Sequence, residues 1–88
     1  MSKIVTYDLD RPGQNYPKLI TAIQAYDNVK VTESCFIIST DQSCVDIRTY
    51  LKTFMDNNDR LFVGELTGNF ASYRSIGNGE DLKRVVAN

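Results

Sequence analysis

Val29-Lys30-Val31-Thr32-Glu33-Ser34-Cys35-Phe36-Ile37-Ile38-Ser39-Thr40 is the stretch that decides the fold. It is rich in β-branched and aromatic residues, which suit a pleated, half-buried strand, yet it is too long for one strand. Its polar middle, Thr32-Glu33-Ser34, breaks the run without a Gly or Pro. The reading is therefore two strands joined by a tight reversal. In Cys35-Phe36-Ile37-Ile38 apolar side chains fall on both sides, because successive residues alternate faces. A sheet built around such a strand needs cover on both faces.

The flanking segments supply the rest. Upstream, Lys3 to Leu9 reads as a first strand, and Asp8-Leu9-Asp10-Arg11-Pro12-Gly13-Gln14 as the loop after it, marked by Pro-Gly. Asn15 is expected to cap a helix that tolerates Pro17 in its first turn. Tyr16, Leu19, Ile20, Ile23 and Tyr26 recur at helical spacing until Asp27-Asn28 stops them. Downstream, Ser43 and Asp46 stand at capping-box spacing. Cys44, Ile47, Leu51, Phe54 and Met55 then line a second helix. Asn57-Asn58-Asp59 is a turn that Asp59 is expected to cap, and Arg60 to Thr67 is the last clear strand.

This order predicts an α+β, ferredoxin-like βαββαβ fold: a four-stranded antiparallel sheet with both helices on one face. The other face then carries an exposed apolar patch of the kind that marks an interface. An isologous homodimer covers it most simply, with Phe36 and Ile38 as interface residues. Residues 1–88 make one domain, with its core in about residues 3–70 and an extension over 71–88. In the tail, Asn69 to Arg74 is expected along the sheet edge, and Gly77-Asn78-Gly79 as a flexible turn. Leu82 to Val86 reads either as a short fifth strand or as a helical turn.

Composition excludes whole classes of chemistry. The 88 residues are 42% hydrophobic and 24% charged, values of a globular chain. No apolar run nears the roughly 20 residues that span a bilayer. The opening Met1-Ser2-Lys3-Ile4-Val5-Thr6-Tyr7-Asp8 meets an acid before any signal-peptide core develops. The expected location is cytoplasmic, with no membrane partner. There is no histidine, which removes Ser-His and Cys-His catalysis and the commonest zinc ligand. Cys35 and Cys44 are too few for a disulfide framework or a four-ligand zinc site. Catalysis would rest on carboxylates, hydroxyls, Lys or Arg, with an oxygen-bound metal such as Mg²⁺. A net charge of −1 is not that of a general nucleic-acid binder, although a local cationic patch is compatible with it.

Asp8 and Asp10 stand at the carboxyl end of the first strand, where rigid scaffolds present functional groups. Two residues apart, they converge only if the chain bends after Leu9; otherwise they solvate the loop or cap the helix. In a homodimer, Asp8 and its symmetry mate would be placed to hold a divalent ion. Tyr7 either packs in the sheet or orients a phosphate or water. Arg11 and Lys18 are near enough in sequence to meet a phosphate, and Ser34 offers a hydroxyl at the reversal. Neither a P-loop nor a dinucleotide glycine pattern is present.

Tyr7-Asp8-Leu9-Asp10-Arg11-Pro12-Gly13-Gln14-Asn15-Tyr16, followed by Glu33-Ser34-Cys35-Phe36-Ile37-Ile38, Ile47 with Leu51, and Asn58-Asp59-Arg60-Leu61-Phe62-Val63, resembles the small bacterial and phage proteins called SinR-like. The layout is also similar to the endonuclease-like core protein of CRISPR adaptation and, more distantly, to VapD-type toxin ribonucleases. The resemblance implies a ferredoxin-like homodimer acting as a metal-dependent endonuclease, on RNA rather than DNA. It implies Asp8 as the metal-binding catalytic residue at the dimer axis, Tyr7 as its neighbour, and Ser34 with Phe36 as a Ser-x-Phe element. The stretch Val29-Lys30-Val31-Thr32-Glu33 departs from the CRISPR pattern, holding one Lys and an acid where Arg residues cluster. That departure favours an alternative, a non-catalytic dimer binding protein or nucleic acid in a toxin–antitoxin, phage-defence or counter-defence setting.

Overall fold

The computed structural model describes residues 1–10 and 12–87, with residues 12–15 as backbone only. In chain order the elements are β1 (Ser2–Asp8), α1 (Pro12–Gln24), β2 (Asp27–Thr32), β3 (Cys35–Ser39), α2 (Cys44–Leu51), β4 (Arg60–Glu65) and α3 (Gly79–Ala87). A single 3₁₀ turn, Lys52–Phe54, extends α2. The sheet runs β2-β3-β1-β4, antiparallel throughout, which is the ferredoxin-like arrangement.

Register fixes the two faces. Val5 stands opposite Phe36 on one side and Val63 on the other, so these side chains share the face under α1 and α2. There they join Tyr7, Leu19, Ile23, Ile38, Ile47 and Leu51 in the main core. The helix stripes read from spacing are the ones buried: Leu19 and Ile23 from α1, Ile47 and Leu51 from α2. Ser43 caps α2 as expected, its hydroxyl accepting the Asp46 amide at 3.0 Å.

Two local expectations need correction. The first helix begins at Pro12 rather than after Asn15, with Pro12 where a missing N–H costs nothing. Pro17 is accordingly inside the helix, and the Thr21 hydroxyl bonds the Pro17 carbonyl at 2.8 Å.

The larger difference is at the C-terminus, where residues 82–86 take the helical alternative rather than a fifth strand, and extend it to a full helix. They belong to α3, which packs on the sheet face opposite α1 and α2. Leu82, Val85 and Val86 meet Val29 and Ile37 there in a second buried cluster. Asn78 caps α3, its side-chain oxygen accepting the Asp81 amide at 2.8 Å. The Arg84 guanidinium grips both carboxylate oxygens of Asp27 at 2.6 Å, and the buried Ser2 hydroxyl donates to the Val86 carbonyl at 3.0 Å. The chain thus covers part of its second face by itself. Phe36 and Ile38 point to the first face and are about fully buried beneath α1 and α2. Their side chains are therefore closed to a partner, which corrects the interface expected of them.

The loop from β4 to α3 crosses this second face. Its end is fastened to β2 by the amides of Ile76 and Gly77, which donate to Val31 O (3.0 Å) and Lys30 O (2.8 Å). Gly77 is required by that approach: a Cβ would overlap Val29 Cγ2 and come within 2.9 Å of Lys30 O. Among the described residues no helix is long and apolar enough to cross a membrane.

Candidate functional site

The carboxyl end of β1 is framed by the β2–β3 reversal on one side and the start of β4 on the other. Side chains at Thr6 and Asp8 alternate onto the second face, and Tyr7 onto the first. Asp8 is exposed and stands directly opposite Arg60, while Thr6 stands opposite Phe62. Thr6, Asp8, Arg60 and Phe62, with the backbone flank at Tyr7 and Leu61, line a shallow depression of about 180 Å³. Phe62 is 62% exposed, an unusual position for a phenylalanine in a sheet. Its ring lies over Gly64, where a Cβ would stand 3.1 Å from Phe62 Cε2.

One acid organises the rim. Asp59 accepts the Asp10 amide through Oδ1 and the Asp56 amide through Oδ2, both at 2.8 Å. It caps its turn as the sequence indicated and also ties the loop after β1 to the loop before β4. Asp10 is exposed at this tie.

The other expected residues disperse. Tyr7 is 6% exposed, its ring edge-on to Tyr16 with centroids 6.4 Å apart, and its hydroxyl donates to the Glu33 carbonyl at 3.4 Å. Burial, with Tyr16 alongside, pushes its pKa far above the usual tyrosine range. Tyr7 thus faces the layer opposite to Asp8, with its hydroxyl engaged at the Glu33 carbonyl of the reversal. Ser34 is exposed in the reversal, and its carbonyl accepts the Tyr7 amide at 3.0 Å, so it sits at the same sheet end as Asp8. Lys18 lines a different concavity, a groove of about 400 Å³ between α1 and the Tyr50–Phe54 pair on the helix layer. Arg11 lies outside the described residues. Burial also pushes the Cys35 thiol up, as suits an inert packing thiol.

Arg60 and Phe62 are the residues that sequence reasoning missed. The alternation Arg60-Leu61-Phe62-Val63 already separates them from the core-facing Leu61 and Val63. Only the antiparallel β1–β4 register, however, brings them to Asp8.

Among the described residues no group of three or more His, Cys, Asp or Glu gathers as a metal site. Within the depression itself, the carboxylate that one chain offers a divalent ion is that of Asp8.

No protein-family model matches the chain, and no curated protein does. Among solved structures it is similar to the crystal structure of a hypothetical protein, TT1823, from Thermus thermophilus. The TM-score is 0.69 at 20% sequence identity, over 88% of this chain and 93% of that one. At that identity the likeness is one of fold: a ferredoxin-like domain of nearly the same extent.

Proposed function

We propose that the protein is a metal-dependent endonuclease, acting on RNA in preference to DNA, in which two copies bring their Asp8 side chains together. The observation that supports this reading is the exposed Asp8 carboxylate with a cation, Arg60, and a bare aromatic ring, Phe62, around it. Mg²⁺ keeps several waters and asks the protein for only one or two carboxylates. One Asp8 from each chain fits the upper end of that demand. When bound, the ion would activate water and offset charge on the phosphodiester. Arg60 would hold a phosphate oxygen, Phe62 would stack an unpaired base, and the Ser34 hydroxyl is at the sheet end to bond the backbone.

A second reading, a binding protein without catalysis, is favoured by a separate observation. The buried Tyr7 leaves the expected catalytic set with one carboxylate and one hydroxyl, and Lys18, expected to meet a phosphate, lies remote from them. The experiment that decides is cleavage of labelled single-stranded RNA and duplex DNA with Mg²⁺, Mn²⁺ or chelator, alongside Asp8→Asn. Metal-dependent cutting should fall at least about a hundredfold in the variant, the scale of loss expected for a group acting on the reacting atoms. Cutting at the full rate by Asp8→Asn would refute the assignment. Absence of cutting with retained RNA binding would support the second reading.

A further inference from the structure

The second face holds more than the depression at Asp8. Next to α3, a hollow of about 280 Å³ is lined by Val31 and Ile37 of the sheet, Leu82 of α3, and the loop segment from Phe70 to Ser75. In that segment Tyr73 is 87% exposed and Phe70 is 38% exposed. Arg74 is held at φ +56°, in the left-handed region that non-glycine residues seldom occupy. Such conformations persist only where the surroundings impose them, and here the loop is fastened to β2 two residues later, at Ile76 and Gly77. From Leu66 to Asn78 the loop carries a single charge, the cation Arg74, although the chain as a whole is −1. The face thus presents exposed aromatic rings at Phe62 and Tyr73 and a cation close to each in sequence (Arg60 and Arg74), with Asp8 at the carboxyl end of β1 and Asp27 already paired to Arg84 at the β2 margin.

We infer that this face, from Phe62 on β4 across the Asp8 end of β1 to the loop bearing Tyr73 and Arg74, is a binding surface for single-stranded nucleic acid. Bases stack on the two rings, and phosphates meet Arg60 and Arg74. Stacking needs unpaired bases, because a duplex hides their faces. The pairing of aromatics with sparse cations suits a single strand better than a duplex, whose dense phosphates call for a row of Lys or Arg. The assignment rests on the nucleic-acid reading above and names its substrate class. The longest dimension of the molecule is 33 Å, so a strand of roughly a dozen nucleotides, within the site sizes of small single-strand binders, is a suitable probe.

The test is fluorescence anisotropy of the full chain with a labelled 12-nucleotide single-stranded RNA and with the same sequence as a duplex, in chelator and in Mg²⁺. Phe62→Ala and Tyr73→Ala should each weaken single-strand binding at least about fivefold. Tyr50→Ala removes an exposed ring from the helix layer, on the opposite side of the sheet, and should leave affinity within about twofold. The slope of log K against log salt should lie near −1.4, as for two phosphate contacts on a single strand, and Arg74→Ala should reduce it by about 0.7. Wild-type protein that binds no single strand would overturn both this surface and the nucleic-acid reading. Binding that is indifferent to Phe62 and Tyr73, equally sensitive to Tyr50, or tighter for the duplex would overturn the surface while leaving the Asp8 assignment standing. Loss of affinity accompanied by a change of mass in light scattering would show that the rings hold a second copy, and would overturn it too.

Discussion

Leu82→Ala tests the least expected part of the fold, the packing of α3 on the sheet. Leu82 is 2% exposed and meets Val29, Ile37, Val85 and Val86. Truncating a leucine in such a site removes its transfer free energy and leaves a cavity, typically at a cost of 2–5 kcal/mol. Leu82 sits near one end of a nine-residue helix beside an open hollow, so the site can partly collapse, and about 3 kcal/mol is the expected loss. For a domain of this size each kcal/mol moves the melting midpoint by roughly 4–8 °C, so Tm should fall by roughly 12–24 °C. The assay is thermal unfolding followed by far-UV circular dichroism, with urea unfolding to check that the transition stays two-state. Lys83→Ala, on the exposed side of the same turn, should stay within about 0.5 kcal/mol of wild type. A Leu82→Ala loss no larger than the Lys83→Ala loss would mean that α3 stands off the sheet in solution, and the account of the second face would fail.

Two further outcomes follow from other features. Gly77→Ala should destabilise by about 1–3 kcal/mol, because the new methyl group collides with Val29 and the Lys30 carbonyl; hydrogen exchange should show faster amides at positions 76 and 77, and unchanged exchange would refute the close approach. Tyr7 has its pKa raised in the folded state, so its contribution to stability is complete below the ordinary tyrosine value of about 10 and is lost as pH climbs beyond it. Urea midpoints measured between pH 8 and 11 should therefore be level at first and then decline, and Tyr7→Phe should remove part of that decline; an identical pH dependence in the variant would contradict the burial of the hydroxyl.

Five of the six βαββαβ elements could be placed closely from period and punctuation, since Leu19 with Ile23, or Ile47 with Leu51, betray a helix face directly. The start of α1 was misplaced because Pro12-Gly13 reads as a turn, while a proline at the first helical position is an equally good signal. α3 was ambiguous for a physical reason. Leu82, Val85 and Val86 fit helical spacing, but over so short a span two adjacent valines suit a strand just as well. The cue that separates the two is Asn78 ahead of Glu80 and Asp81, a cap followed by first-turn acids. Of the candidate site, Asp8 at a strand end was legible, as was the turn role of Asp59. Packing of Tyr7 was one of the two readings its alternation with Val5 allowed, whereas the arrival of Arg60 and Phe62 depends on cross-strand register, which no local pattern encodes.

The fastening of Ile76 and Gly77 to β2 also bears on how the protein behaves when crowded. A sheet with two bare margins can add strands at both and grow without limit, the route to fibres. Here the β2 margin is occupied over Lys30 and Val31, leaving only Thr32 and the short run Asp27–Val29. Among the described residues the outer margin of β4 pairs with no strand. Growth from such a unit is one-sided: two β4 margins that met would use each other up and present only stoppered ends. The loop thereby acts as a terminator, disfavouring edge-to-edge assembly beyond a pair.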